Sequence, residues 1–216
     1  MAPTKISQDF HKSIYNLSNE SEIILLNNIF SDTDADTLFD SLNGLPFNET
    51  LTDDSVRPKY DSYWFGSEDY LYSGVKHSRN ISDILVVKQL LKIANNLTSS
   101  TFDCLLVNRY IGNANVPPHK DDEHSMDQNE GILAMRFGGP RDFQVLNNKK
   151  KLITSFSIKK GNGYFLTKKF QNLCYHQVPK SPSNDITITV TFRKLIRNTI
   201  DLTGLSEATE LANQSL

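Results

Sequence analysis

The sequence predicts an α+β fold whose β-core is built from two sheets, and three observations carry that expectation. Two segments with helical periodicity, 31–43 and 82–95, lie in the first half of the chain. From Phe102 onward the pattern changes to short apolar strands separated by turns. The last of these, Asp185-Ile-Thr-Ile-Thr-Val-Thr-Phe, alternates strictly at period two and is β-branched almost throughout. Helices first and many short antiparallel strands afterwards form two packed layers around one core.

Each element has its own signal. Residues 1–20 are polar with scattered apolar positions and read as an N-terminal extension or a short helix. The compact apolar run at 21–30 suits a buried strand. Ser31 can cap a helix, and Asp32 and Asp34 suit its N-terminal dipole. Gly44 and Pro46 stop that helix near Asn43. Residues 48–58 read as a loop. The stretch 60–73 is unusually aromatic, with Tyr60, Tyr63, Trp64, Phe65, Tyr70 and Tyr72. Ser82 is the expected cap of the second helix. Strands are expected at 102–110, 131–137, 142–146, 152–158, 163–166 and 185–192. The expected organisation is one domain over 21–197, with a tail over 198–216.

Composition excludes several classes. The chain has 216 residues and 38% hydrophobic content, enough for a true core. No apolar run approaches the ~18 residues that span a bilayer, and the N-terminus lacks the apolar stretch of a secretory signal. Cys104 and Cys174 have neither a disulfide framework nor a zinc spacing. The expectation is a reducing, intracellular protein, cytoplasmic or nuclear, monomeric and without membrane contact. The net charge of −2 hides an asymmetry: residues 1–100 carry 8 Lys/Arg against 14 Asp/Glu, and residues 101–200 carry 15 against 8. The basic excess includes Lys149-Lys150-Lys151, Lys159-Lys160 and Lys168-Lys169. Such pairs either track a phosphate backbone or are solvated turn lysines.

The sharpest chemical feature is His119-Lys120-Asp121. In an extended strand, residues i and i+2 share a face, so an imidazole and a carboxylate converge on one ion. A third ligand from later in the chain would complete a 2-His-1-carboxylate triad with open positions, the set that suits non-haem Fe(II) oxygenases. The chain has five histidines. His11 lies in the extension, His77 precedes a helix, and His124 is too close to the first pair. His176, after a strand and ahead of the final alternating strand, is the choice. H-x-D alone is weak evidence; its neighbours give it weight.

Those neighbours resemble the AlkB family of oxidative demethylases over roughly residues 21–195. The strongest block is F-D-C-L-L-V-N-R-Y-I-G-N-A-N-V-P-P-H-K-D-D-E, where Asn108, Tyr110, His119, Asp121, Asp122 and Glu123 match an N-x-Y strand end followed by H-x-D and acids. I-L-A-M-R-F-G-G-P-R-D-F resembles the family's apolar strand, glycine turn and R-x-F element. F-Q-N-L-C-Y-H-Q-V is similar to the distal-histidine segment, especially that of plant RNA virus AlkB domains. Thr191-Phe192-Arg193 matches the T-F-R ending, and the stretch from Pro58-Lys59 to Gly74 resembles a base-gripping lid.

The resemblance implies a double-stranded β-helix (jelly-roll) core with N-terminal helices and a nucleotide-recognition lid. It implies Fe(II) held by His119, Asp121 and His176, with 2-oxoglutarate as cosubstrate and O2 as oxidant. Asn108, Tyr110 and Arg193 would contact 2-oxoglutarate. Glu123 would face the exocyclic amine of the target base, and Tyr72 would stack on the flipped base with Tyr70 close by. The implied activity is oxidative demethylation of N-alkylated bases, of the 1-methyladenine and 3-methylcytosine type, in DNA or RNA.

One departure concerns the cosubstrate. Six residues before Arg193 the family places an arginine that pairs with the distal carboxylate of 2-oxoglutarate; here that residue is Thr187, and Thr189 stands where asparagine is usual. Arg136, in the strand after H-x-D, is a candidate replacement, with Thr187 and Thr189 adding hydroxyl contacts. Alternatively, Arg136 faces outward with its stem along the sheet and its head in water. Two other functions stay open: a same-fold oxygenase acting on a protein or small molecule, and a non-catalytic nucleic-acid-binding relative.

Overall fold

The computed structural model describes residues 5–18, 21–47, 60–72 and 75–196, and for Tyr72 and Val75 it describes the backbone alone. The expected loop at 48–58 and the C-terminal tail lie outside the described residues.

In chain order the elements are β1 (His11–Ser18), β2 (Ser21–Asn27), α1 (Asp32–Asn43), β3 (Tyr60–Phe65), β4 (Tyr70–Tyr72), β5 (Val75–His77) and α2 (Leu85–Thr98). The β-rich half follows with β6 (Cys104–Tyr110), β7 (Val116–His119), β8 (Ile132–Gly138), β9 (Arg141–Leu146), β10 (Leu152–Ile158) and β11 (Gly163–Leu166). It closes with α3 (Phe170–Leu173), β12 (Tyr175–Val178) and β13 (Thr187–Arg193). Seven strands form one sheet in the order β1-β2-β11-β8-β13-β6-β3, and four form a second in the order β10-β9-β12-β7. Every pairing is antiparallel. Consecutive strands β8 and β9 fall in different sheets, which is the jelly-roll trait. Gly138 makes that crossing: its φ is +77°, and a Cβ there would stand 2.3 Å from the carbonyl oxygen of Ile186. No described helix is long and apolar enough to cross a membrane.

Alternation decides which side chains reach the space between the sheets. On β13, Ile188, Val190 and Phe192 join the main core with Leu38 and Leu42 of α1 and Leu90 and Ala94 of α2. On β8, Leu133, Met135 and Phe137 do the same. The other face of each strand therefore turns toward the small sheet: Thr187, Thr189, Thr191 and Arg193 from β13, and Ile132, Ala134 and Arg136 from β8. The threonine alternation in the sequence marks a strand with an apolar helix-facing side and a polar inner side.

Most elements stand close to their expected places. Ser31 caps α1 by accepting from the Asp34 amide, and Gly44 ends the helix. Three expectations need correction. Residues 11–18 form a strand rather than a helix, extending the large sheet from β2. Ser82 does not cap α2, which starts at Leu85 with no side-chain cap; the Ser82 hydroxyl instead meets that of Tyr63 at 2.7 Å. His176 falls between β11 and β13 as expected, but it lies on a strand, β12, where none was expected.

Candidate active site

The site begins with a register. His119 closes β7 and pairs directly with His176 of β12, which brings their rings to 4.1 Å between centres. Asp121 follows two residues beyond the end of β7. Its Oδ1 lies 3.5 Å from His119 Nε2 and its Oδ2 lies 3.6 Å from His176 Nε2. The three ligand atoms lie within 4.8 Å of one another, the sole such metal-ready group among the described residues.

The surroundings hold these atoms in a ligating state. His119 Nδ1 stands 2.9 Å from the Pro117 carbonyl, which can only accept, so Nδ1 carries a proton and Nε2 faces the cluster. Burial works against a charged ring, but Asp121 and the Pro117 carbonyl outweigh it and raise the His119 pKa, and a bound cation would take the place of the proton that Asp121 favours on Nε2. The His176 ring packs between Phe143 and Phe170. Burial and the neighbouring His119 push its pKa down to about 3, so it is neutral across the physiological range. The Asp121 amide donates to Gln171 Oε1 at 3.0 Å, and Arg193 Nη2 sits 2.8 Å from Asp121 Oδ1. Burial works against ionised Asp121, but Arg193 and the two histidines outweigh it and hold the carboxyl well below the usual range. A neutral imidazole, an oriented imidazole and an ionised carboxylate are the donors that Fe(II) takes on one face, so the residues fit the ion.

From Arg193 a chain of hydrogen bonds runs outward. Its Nη1 donates to the Tyr70 hydroxyl at 2.5 Å, and that hydroxyl donates to Glu123 Oε1 at 3.0 Å. Burial raises the Glu123 pKa, and the charge on Asp121 adds to the effect while Arg193 opposes it. Glu123 Oε2 is buried without a hydrogen-bond partner.

A cleft of about 420 Å³, partly open to solvent, adjoins the metal ligands, with Asn108, Tyr110, Tyr164, Thr189, Thr191 and Arg193 in its lining. The fold thus gathers His119, Asp121, His176, Asn108, Tyr110, Thr189 and Arg193 around one space. Thr187 stands apart: its hydroxyl donates to the Gly139 carbonyl at 3.2 Å, and it is not part of the lining. Arg136 is buried, so the outward-facing alternative is excluded. Tyr70 needs correction as a base contact. It is fully buried, with Trp64 stacked at 4.5 Å and His77 at 6.1 Å, so its ring offers no open face and its hydroxyl is the useful group. The Tyr72 side chain lies outside the described residues. Gln171, Tyr164 and Arg141 were missed by sequence reasoning. Arg141 lies over the Tyr110 ring and donates to the Ala114 and Gly112 carbonyls, fixing the loop that leads into β7. Gln171 had one signal, its place five residues ahead of His176 in a short helix.

A jelly roll holding a 2-His-1-carboxylate set beside a polar cleft defines a non-haem iron oxygenase architecture. The family model of the 2OG-Fe(II) oxygenase superfamily matches residues 22–199, and the chain belongs to that superfamily. Its cofactors are accordingly Fe(II), 2-oxoglutarate and O2. The structure of OsALKBH1 shares the fold with a TM-score of 0.57 at 14% identity, covering 84% of this chain and all of that one. A 2OG-Fe(II) oxygenase-family oxidoreductase from Burkholderia pseudomallei superposes with a TM-score of 0.54 at 12% identity, covering 80% and 84%. An RNA replication polyprotein of Citrus leaf blotch virus is 27% identical over 129 residues, 60% of this chain. The matched region is 6% of that polyprotein's length.

Proposed function

We propose that this chain oxidatively demethylates N-alkylated nucleic-acid bases, with His119, Asp121 and His176 holding Fe(II). The observation that carries the reading is Glu123: a half-buried carboxyl beside the metal ligands, with one oxygen held by Tyr70 and the other unsatisfied. An unsatisfied acceptor of this kind favours a ligand that brings both a donor and positive charge. 1-Methyladenine and 3-methylcytosine bring an exocyclic amine and a ring cation together. The similarity to a viral RNA replication polyprotein and the fold shared with an AlkB homologue support the same reading. Exposed Lys149, Lys150 and Lys151, in the turn between β9 and β10, suit a phosphate backbone. Lys160, by contrast, is bound to Asp36 of α1.

The division of labour follows from the site. Fe(II), 2-oxoglutarate and O2, when bound, would supply the oxidation: one oxygen atom of O2 would enter an N-methyl C–H bond and the other would enter succinate as 2-oxoglutarate loses CO2, after which the hydroxymethyl group would leave as formaldehyde and return its hydroxyl proton to the base nitrogen. His119, Asp121 and His176 fix the ion's position. Arg193 keeps Asp121 ionised and, through Tyr70, steers Glu123. Glu123 accepts from the base amine and opposes its charge, which selects the alkylated cation over the neutral parent. The base must leave its stack to reach this depth.

Glu123→Gln tests the assignment. It keeps size and hydrogen-bonding capacity but removes the charge. On a 3-methylcytosine single strand, the expected loss in kcat/KM is about 10- to 100-fold, from a charge-assisted bond replaced by a neutral one. Iron binding should be preserved. Equal turnover in both forms would overturn the role of Glu123, and with it the observation on which the reading stands.

A further inference from the structure

Arg136 presents an unusual problem. It sits at the centre of the large sheet, 1% exposed, and Nε, Nη1 and Nη2 are all buried without a hydrogen-bond partner. Its backbone is fully used: its amide donates to the Asn162 carbonyl and its carbonyl accepts from the Gly161 amide, each at 2.8 Å. The side chain alone is left over. A guanidinium has five donors, cannot shed its proton in a protein, and costs heavily when buried with nothing opposite.

Its neighbours do not answer the charge. Tyr110, Tyr164, Asp142 and Arg141 are near enough to act on it electrostatically. The two tyrosines are neutral. Arg141 is a second buried cation, committed to the Ala114 and Gly112 carbonyls. Asp142 makes no ion pair with Arg136 among the described residues. The region therefore carries positive charge awaiting an anion.

Position shows where the anion would come from. Arg136 pairs with Thr189, and Thr189 pairs with Asn108 on its other side, so the three stand in one row across β8, β13 and β6. Thr189 Oγ1 and Asn108 Oδ1 are likewise buried without partners, and both residues line the cleft. Ala134, two residues before Arg136 on the same face, lines it as well, as do Tyr110 and Tyr164. Arg136 is not itself in the lining, but its guanidinium is close enough to act electrostatically on Tyr110 and Tyr164, which are. On β13 the inward face runs from Arg193, which touches the metal ligand Asp121, through Thr191 to Thr189, about 13 Å along the strand. One end of the cleft is thus the metal set and the other is the Arg136 row. Thr187 pairs with Gly138, so Arg136 is its diagonal neighbour on the adjoining strand.

We propose that Arg136 anchors the distal carboxylate of 2-oxoglutarate, with the Thr189 hydroxyl donating to the same carboxylate. The cosubstrate then spans the cleft, its 2-oxo-acid end toward His119, Asp121 and His176. The carboxylate supplies the counter-charge the fold omits, and a 2-oxo acid without that second carboxylate leaves Arg136 unpaired. This inference rests on the superfamily's cosubstrate and is independent of the identity of the oxidised substrate.

The test is equilibrium binding, without turnover. The full chain is loaded with Mn(II) in place of iron and titrated calorimetrically with 2-oxoglutarate and with 2-oxobutanoate, which lacks the distal carboxylate. Wild type should prefer 2-oxoglutarate by about 10- to 100-fold, the range of a charged hydrogen-bonded contact. Arg136→Met should lose that preference and bind 2-oxobutanoate and Mn(II) as wild type does. Arg136→Lys should keep part of the preference, and it decides the matter if the methionine variant fails to fold. The proposal is overturned if wild type shows no preference, if either variant keeps the full preference, or if both ligands weaken together.

Discussion

The guanidinium of Arg193 lies 2.8 Å from Oδ1 of Asp121, and both side chains are buried. Arg193 is thus bound to a metal ligand within the cleft lining, and through the Tyr70 hydroxyl it also reaches Glu123. One residue at the end of β13 couples the ligand set to the carboxyl proposed to read the substrate.

Replacing Arg193 by Met leaves Asp121 buried and uncompensated. Breaking a buried ion pair from one side costs about 3–5 kcal/mol, and loss of an outer-shell partner costs about 10- to 100-fold in metal affinity. Chemical denaturation of the metal-free protein and a Mn(II) titration should show both losses. Unchanged metal affinity would mean that Asp121 is oriented by other contacts.

Gln171→Leu removes the acceptor for the Asp121 amide. The expected cost is about 1–3 kcal/mol for the stranded donor, again with weaker metal binding. Because Gln171 belongs to α3 rather than to either sheet, the strand framework should persist, and far-ultraviolet circular dichroism checks that.

His77 sets an acid sensitivity. It is 2% exposed and stacks on Tyr70, and burial lowers its pKa below the usual histidine value. In the unfolded chain it titrates near ~6.5. Below that pH the unfolded state binds a proton that the folded state resists, so stability falls as pH drops from the unfolded pKa toward the lower folded one. His77→Phe should make the stability-versus-pH curve of the metal-free protein less steep in that window, leaving the part that His176 contributes in the same sense. A curve of unaltered slope would assign the acid sensitivity elsewhere.

Ser31→Ala should cost about 1 kcal/mol by removing the α1 cap. Since α1 packs on the helix-facing side of the large sheet, Mn(II) affinity should not change, and a shift in both quantities would show the two faces to be coupled.

Much of the fold was legible because its signals are local. Ser31, the acids after it and Gly44 define α1 without tertiary help, and the alternation on β13 survives because one face is apolar and the other polar. The H-x-D pair and His176 were legible as residue types, and strand pairing supplied what the sequence could not, the register of His176 with His119. Ser82 misled because a serine before a periodic segment looks the same whether it caps a helix or bonds a tyrosine from another strand. Tyr70 packs in the core, as an aromatic strand residue does by default, and only the fold shows that Trp64 and His77 enclose the ring that the resemblance put close to the base. Arg136 stayed ambiguous for a similar reason: only the sheet order tells an inward arginine from an outward one.

The most direct measurement follows formaldehyde and succinate together. The chain, loaded anaerobically with Fe(II) and given 2-oxoglutarate and O2, is offered a single strand bearing 1-methyladenine and the same strand unmethylated. Equimolar formaldehyde and succinate are expected from the methylated strand, no formaldehyde from the other, and loss of both products in His176→Ala. Bound iron and succinate formation with no formaldehyde from any methylated strand would contradict the proposed demethylation.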